Sequence, residues 1–274
     1  MNIVFWLAAA ALDWSIIAAA FIAVALDARA LPAAWLIIGN RQHALAILMH
    51  EAAHGSIARA RWLNDLAARL VVSWPLGIPL DGYRQFHLAH HVHLNDPDDP
   101  EQLFKTAHPS YLAPRSKWRI AADLAGDLAF QHLTELRTFY RLAVIPRDPE
   151  LLAVAFVWLQ AALASTALGL WWLVPLWAVS FASVTWGHNR LRIWLEHSGA
   201  PAVETWRVRL PWPLEWILRP HRVGLHWEHH RHPKRPWWRL RPNVVDAASV
   251  RITDRNVVDA ASVRITDQPA RDNQ

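Results

Sequence analysis

Apolar positions along the chain fall into blocks separated by short polar stretches. Ile3 to Leu26 is a nearly continuous apolar run, long enough for about one bilayer crossing at ~1.5 Å per residue. A cleaved signal peptide would carry a basic leading region and a shorter apolar core, so the run reads as a transmembrane helix. After Asp27-Ala28-Arg29-Ala30 a second run, Leu31 to Met49, leads back across the membrane and delivers His50 and His54 at its far end. Its middle, Asn40-Arg41-Gln42-His43, is too polar to face lipid. His43 shares the face of His50 and reads as a polar residue satisfied between helices. Leu66 to Leu80 is apolar but short and carries Pro75 and Pro79, the pattern of an interfacial or re-entrant segment. Leu151–Leu170 and Trp171–Trp186 form a second apolar hairpin turning near Gly169. The pattern predicts an all-α integral membrane bundle of about four transmembrane helices, with the polar stretches gathered into a helical cap on one side.

The first hairpin contains two isolated charges. Asp13 lies ten residues beyond Ile3 and Arg41 nine residues before His50, which puts them about 15 and 13.5 Å from the same end by helix rise. Charges at that depth tend to pair, and a short connection makes the two helices antiparallel neighbours, so an Asp13–Arg41 pair is expected. Of the 28 Lys and Arg, only Arg29 lies in a connection on the opposite side from His50. By the positive-inside rule the cap and both termini face the cytoplasm, with the chain in the cell's inner or plasma membrane.

Composition narrows the chemistry. Cys is absent, so the chain has no disulfide, thiolate-bound zinc or iron–sulfur cluster of its own, and any electrons it consumes come from elsewhere. The nine Gly form no GxGxxG or Walker loop, which argues against a built-in nicotinamide, flavin or nucleotide domain. The formal charge of +5 sits beside apolar spans, and the 18 Trp suit membrane interfaces, so a membrane surface explains the basicity better than nucleic acid does.

Histidine spacing carries the candidate chemistry. His87, His90 and His91 stand at i, i+3 and i+4, and His226, His229 and His230 repeat the spacing, which puts three imidazoles on one helix face each time. His50 and His54 add an i, i+4 pair. Eight imidazoles in three clusters are too many for one ion, which takes about four such ligands in a structural zinc site, and two metals are implied.

The rest of the chain adds less. The acids of Asn95-Asp96-Pro97-Asp98-Asp99-Pro100-Glu101 read as a solvated turn and stay off the ligand list. Lys105, Arg115, Lys117, Arg119, Arg137, Arg141 and Arg147 read as a face resting on anionic lipid or as a patch attracting an acidic electron carrier. Asn-Val-Val-Asp-Ala-Ala-Ser-Val-Arg-Ile-Thr-Asp occurs at 243–254 and again at 256–267. Two short copies make no solenoid, so 1–242 reads as the membrane domain and 243–274 as a duplicated, dispensable tail.

His50-Glu-Ala-Ala-His54-Gly-Ser, Tyr83-Arg-Gln-Phe-His87-Leu-Ala-His90-His91 and His226-Trp-Glu-His229-His230-Arg-His-Pro, with Pro236-Trp-Trp-Arg-Leu240 behind, resemble the membrane fatty acid desaturase superfamily over residues 35 to 242. That superfamily includes desaturases, hydroxylases, carotenoid ketolases and alkane monooxygenases. The resemblance implies a cytosol-facing centre of two iron ions that uses O2 to attack an unactivated C–H bond of a lipid. It also implies that the eight cluster histidines are ligands, with His197 of Glu196-His197 as an additional one and His188 as a further candidate. A separate ferredoxin, rubredoxin or cytochrome-type donor is implied as well. A fatty-acyl desaturase is the first reading, since Arg192 to His197 resembles bacterial members. A carotenoid ketolase or hydroxylase is the second, and a non-enzymatic metal-binding membrane protein the third.

Overall fold

A computed structural model describes residues 2–111, 116–143, 148–197, 200, 205–242 and 249–251. Among these the chain is mostly helical. α1 (Ile3–Leu26) and α2 (Leu31–Ala53) form an antiparallel hairpin, followed by α3 (Arg61–Ala68), α4 (Leu80–Val92), α5 (Pro100–Ala107), α6 (Lys117–Leu128) and α7 (Leu133–Ala143). α8 (Glu150–Ala167), α9 (Leu173–Ser180) and α10 (Trp186–His197) form the second hairpin and its extension, and short helices α11 (Leu214–Leu218) and α12 (His226–Arg231) complete the cap. Two three-residue strands, β1 (Arg207–Arg209) and β2 (Ser249–Arg251), pair in parallel. β2 belongs to the first copy of the duplicated tail; the second copy, 256–267, lies outside the described residues.

α1 starts where Asn2 accepts a hydrogen bond from the Val4 amide and stops at Asp27, whose carboxylate accepts from the Arg29 amide. Trp6, Ala10, Asp13, Ile17 and Ala20 are its buried positions, a single stripe at helical spacing facing α2. Val4, Phe5, Leu12, Ile22 and Leu26 point outward along its whole length. α1 and α8 are long and apolar enough to cross a membrane.

α2 is less apolar because its middle is turned inward. Arg41 is 2% exposed and its Nη1 donates to Asp13 Oδ1 at 3.2 Å, Asp13 being 1% exposed, so the expected pair forms. Asp13 also meets His221 Nε2 at 2.8 Å, a partner from the cap. Gln42 donates to the Trp177 carbonyl at 2.9 Å and accepts from Thr185 at 2.8 Å. Its neighbour Gly39 lets the backbones close: a Cβ there would stand 2.4 Å from Val184 Cβ and 2.9 Å from the Ser180 carbonyl. His43 is buried beside the His188 ring, but its Nε2 makes no hydrogen bond, so it is packed rather than satisfied.

The segment expected between Leu66 and Leu80 has irregular backbone against the bundle. α3 runs into a π-helical turn, Arg69–Ser73, and then a tight turn through Gly77 at φ +75°. Indole N–H groups from three helices satisfy carbonyls of this stretch: Trp14 on Val71, Trp158 on Trp74 and Trp177 on Pro75, at 3.0 to 3.1 Å. A second π-helical turn, Phe181–Thr185, joins α9 to α10 in one continuous path from the hairpin into the cap. The hairpin turns at Gly169, φ +71°, where the sequence places it. Arg190, fully buried, locks α10 to the cap by pairing with Asp127 at 2.7 Å and with Glu135, over the face of Tyr111.

The buried pair makes a quantitative prediction. Arg41→Ala leaves Asp13 with His221 alone and should cost on the order of 3 kcal/mol, as breaking a buried pair does. The double change with Asp13→Asn should recover part of that. Thermal inactivation of the four proteins in detergent checks it; additive losses, with coupling below about 0.5 kcal/mol, would rule the pair out as a stabilising contact.

Candidate metal centre

Four helices deliver the imidazoles to one place. α2 ends at the pair His50 and His54, α4 carries His87, His90 and His91, and α12 carries His226, His229 and His230, while α10 ends on His197. His50, His54, His87, His91 and His229 form one group, with a ligand nitrogen of each within 4.8 Å of all the others. His90, His197 and His230 form a second, which His226 joins at 3.0 Å from both His197 and His230. All nine histidines named as candidates from the clusters and from Glu196-His197 therefore converge. His188 does not join them: it lies nine residues before His197, about 13.5 Å back along α10. Its Nδ1 meets the Val184 carbonyl at 2.8 Å and its Nε2 meets Asn40 at 3.0 Å.

Within the groups Nε2 faces Nε2. His54 and His87 stand 2.8 Å apart, His87 and His91 3.1 Å, His91 and His229 3.2 Å. Ligands about 2.1 Å from a shared ion stand about 3.0 Å apart at right angles, and these separations fit that spacing. Burial, the largest effect at each, holds the imidazoles neutral with their lone pairs free. His54 is pushed down to about 4 and His91 to about 3, and His50, His87, His197, His226, His229 and His230 well below the usual range. Both nitrogens of His50 and the Nε2 of His90 are buried without a hydrogen-bond partner. Nine convergent imidazoles with such orphaned nitrogens fit two transition-metal ions, iron included.

Carboxylates stand behind the ring. Asp99 holds His90 Nδ1 at 2.9 and 3.0 Å, and Glu196 stands 3.3 Å from His226 Nδ1 while taking Arg192 Nε at 2.7 Å. The Asp99 contact fixes the His90 tautomer and turns its Nε2 toward the other imidazoles, whereas His226 Nδ1 makes no hydrogen bond to Glu196. Burial pushes the carboxyls of Glu196 and Glu51 up to about 7; Glu51 accepts from the Trp237 amide and Ser56, tying α2 to the segment after α12. Sequence reasoning assigned the Asp96 to Glu101 acids to a solvated turn. The structure instead buries Asp99 completely and brings Glu101 to the imidazoles. The one available signal was acids nine to eleven residues after a histidine cluster, across a Pro-rich turn.

Two cavities adjoin the groups. One, about 50 Å³, is lined by Phe86, Phe104, Phe139 and Ile193 together with the polar Glu101, Asn189, Arg192, Glu196 and His197. The other, about 430 Å³ and open, has His54 and His91 at its base and Arg59, Arg61, Arg84 and Lys234 around it.

A model described as fatty acid desaturase matches residues 28–248. The chain is 28% identical over 242 residues to an sn-1 oleoyl-lipid 12-desaturase of Synechocystis sp., covering 77% of this chain and 66% of that one. It is 31% identical over 210 residues to a beta-carotene ketolase of Paracoccus sp., covering 75% of this chain and 74% of the ketolase. A zeaxanthin 4-ketolase of Chlamydomonas reinhardtii is 27% identical over 198 residues, which are 72% of this chain and 40% of that protein. The chain thus spans between two fifths and two thirds of the length of two of these relatives.

If the centre is as built, His90→Ala should hold about half the iron of the unaltered protein. Asp99→Asn, which removes the acceptor behind His90, should weaken metal retention about 10–100-fold. Iron per chain after graded chelation is the measurement; full retention by both variants would contradict the assignment.

Proposed function

The chain belongs to the fatty acid desaturase family, and on that premise we propose that it is a membrane-bound, O2-dependent di-iron oxidoreductase, in the first place a fatty-acyl desaturase. The observation that carries the reading is the convergence of nine imidazoles, in two groups, beside helices with outward apolar faces. Two iron ions, when bound, supply the O2-dependent oxidation of an unactivated C–H bond. His50, His54, His87, His91 and His229 hold one, and His90, His197, His226 and His230 the other. The protein's part is to bind, aim and keep dry. Asp99 holds His90 in the tautomer that presents Nε2, Glu196 stands 3.3 Å from His226 Nδ1, and Phe86, Phe104 and Phe139 form the apolar part of the small cavity beside His197.

The membrane arrangement follows from the same faces. α1, α2, α8 and the α9–α10 path make four spans, with the centre, the cap and both termini cytoplasmic. Because the chain has no Cys, this is directly testable. Ala28→Cys should react with an impermeant thiol reagent on intact cells, and Asn95→Cys only after permeabilisation. The reverse pattern would invert the topology.

The open cavity with its arginines and Lys234 suits the approach of an acidic, separate donor such as a ferredoxin, since opposite charge steers encounter. The ketolase reading is kept alive by the 31% identity to a beta-carotene ketolase. Expression in a carotenoid-producing host separates the two. The acyl reading expects new unsaturated acyl chains with unchanged pigments, dependent on a reduced donor, and the same products from a chain lacking 256–267. Oxidised carotenoids with unchanged acyl chains would establish the ketolase instead, and loss of product on the deletion would overturn the dispensable tail.

A further inference from the structure

The two imidazole groups are unequal: five residues make the first and four the second. The second group also faces a carboxylate. Glu101 Oε1 lies 3.7 Å from His197 Nε2, and Glu101 Oε2 lies 3.9 Å from His90 Nε2. Both distances run to the nitrogens aimed at the centre, and both fall between the separations of about 3.0 and 4.2 Å expected for adjacent and opposite ligands about 2.1 Å from one ion. Oε1 is fully buried and accepts no hydrogen bond, with Lys105 Nζ standing 3.4 Å away.

The position of Glu101 is fixed by the residue that fixes His90. Asp99 caps α5 by accepting from the Glu101 amide at 2.8 Å, and the same carboxylate holds His90 Nδ1. One buried side chain therefore sets the first turn of α5 and the ring opposite it in register. Glu196 is the other carboxylate near this position: its Oε2 is held by Arg192 at 2.7 Å, while its buried Oε1 is unpartnered and the residue groups with His197 and His226, so the test is made on Glu101 itself.

We infer that Glu101 is a fifth, carboxylate ligand of the second metal position, so that one ion is held by five imidazoles and its neighbour by four imidazoles and one carboxylate. This rests on the di-iron reading above. An anionic oxygen ligand on one side only makes the two ions electronically distinct and favours the higher charge at the ion beside the phenylalanine-lined cavity, whose wall Glu101 shares. The competing role is plainer: Glu101 could serve as the counter-charge of Lys105 and nothing more.

The experiment uses the full chain, purified from membranes in detergent and loaded with Mössbauer-active iron. The unaltered protein should hold two irons giving two distinct quadrupole doublets. Glu101→Gln should change one doublet only and release that iron to a chelator at least about tenfold faster. Glu101→His, which restores a ligand, should hold both irons with that one doublet altered. Lys105→Met should hold both irons with both doublets unchanged. Unchanged doublets in Glu101→Gln or Glu101→His, or loss of iron from Lys105→Met equal to that from Glu101→Gln, would overturn the carboxylate ligand while leaving the di-iron reading intact. An unaltered chain that binds no iron would overturn both. If Glu101→Gln does not accumulate, the Glu101→His spectrum and Lys105→Met retention still decide.

Discussion

Desolvation of imidazole is the constraint on which the rest of the site depends. A protonated histidine cannot bind a metal, and nine rings brought together in water would be free to protonate. Packed out of solvent, most of them are driven far below their ordinary range, and each then presents a lone pair. Neutrality has a cost, since each buried ring carries a second nitrogen that needs a partner. The carboxylates meet that need in part: Asp99 accepts from His90 Nδ1, while Glu196, steadied by Arg192, stands 3.3 Å from His226 Nδ1 without a hydrogen bond to it. Where partners are missing, as at both nitrogens of His50, the orphaned atoms point to an ion.

Local periodicity made the ligand rings legible in the sequence. Spacing of i, i+3, i+4 places imidazoles on one face whatever the tertiary context, so His87, His90 and His91 could be grouped without knowing where α4 lies. Helix rise worked equally well for Asp13 and Arg41, because a short turn sets the depth of both. What stayed hidden came from outside these periodic windows. His221 reaches Asp13 from 208 residues away. Asp99 and Glu101 sit past a Pro-rich turn whose composition reads as solvent-facing; only the packing of α5 against α4 and α7 reveals their burial. His188 failed for a simple reason of length: nine residues of helix separate it from His197.

The irregular backbone explains part of the tryptophan content. A span helix satisfies its own amides, but a π-turn and a reversal between Arg69 and Ile78 do not fully do so within an apolar bundle. Trp14, Trp158 and Trp177 each turn one N–H onto a carbonyl of that stretch while their rings pack, Trp14 against Trp177 at 5.2 Å and nearly parallel. Indole suits this task because it joins a large apolar surface to a single donor and brings no acceptor to satisfy. Interfacial enrichment is therefore an incomplete account of why the chain is rich in Trp.

The α1–α2 hairpin and the segments carrying His221 and the third histidine cluster share one polar seam. Asp13 of α1 accepts from Arg41 of α2 and meets His221, which directly precedes the segment leading into α12. Arg41 lies over Trp216 of α11 at 4.3 Å, and Asn40 donates to the Ile217 carbonyl. At the other end of the same helices Trp6 donates to the Leu48 carbonyl, and Glu51, next to His50, takes the Trp237 amide beyond α12. The third histidine cluster is thus pinned on both flanks to the hairpin that carries the first. A charge in the middle of an apolar helix, costly by itself, is retained here because it fixes where a distant ligand-bearing segment docks.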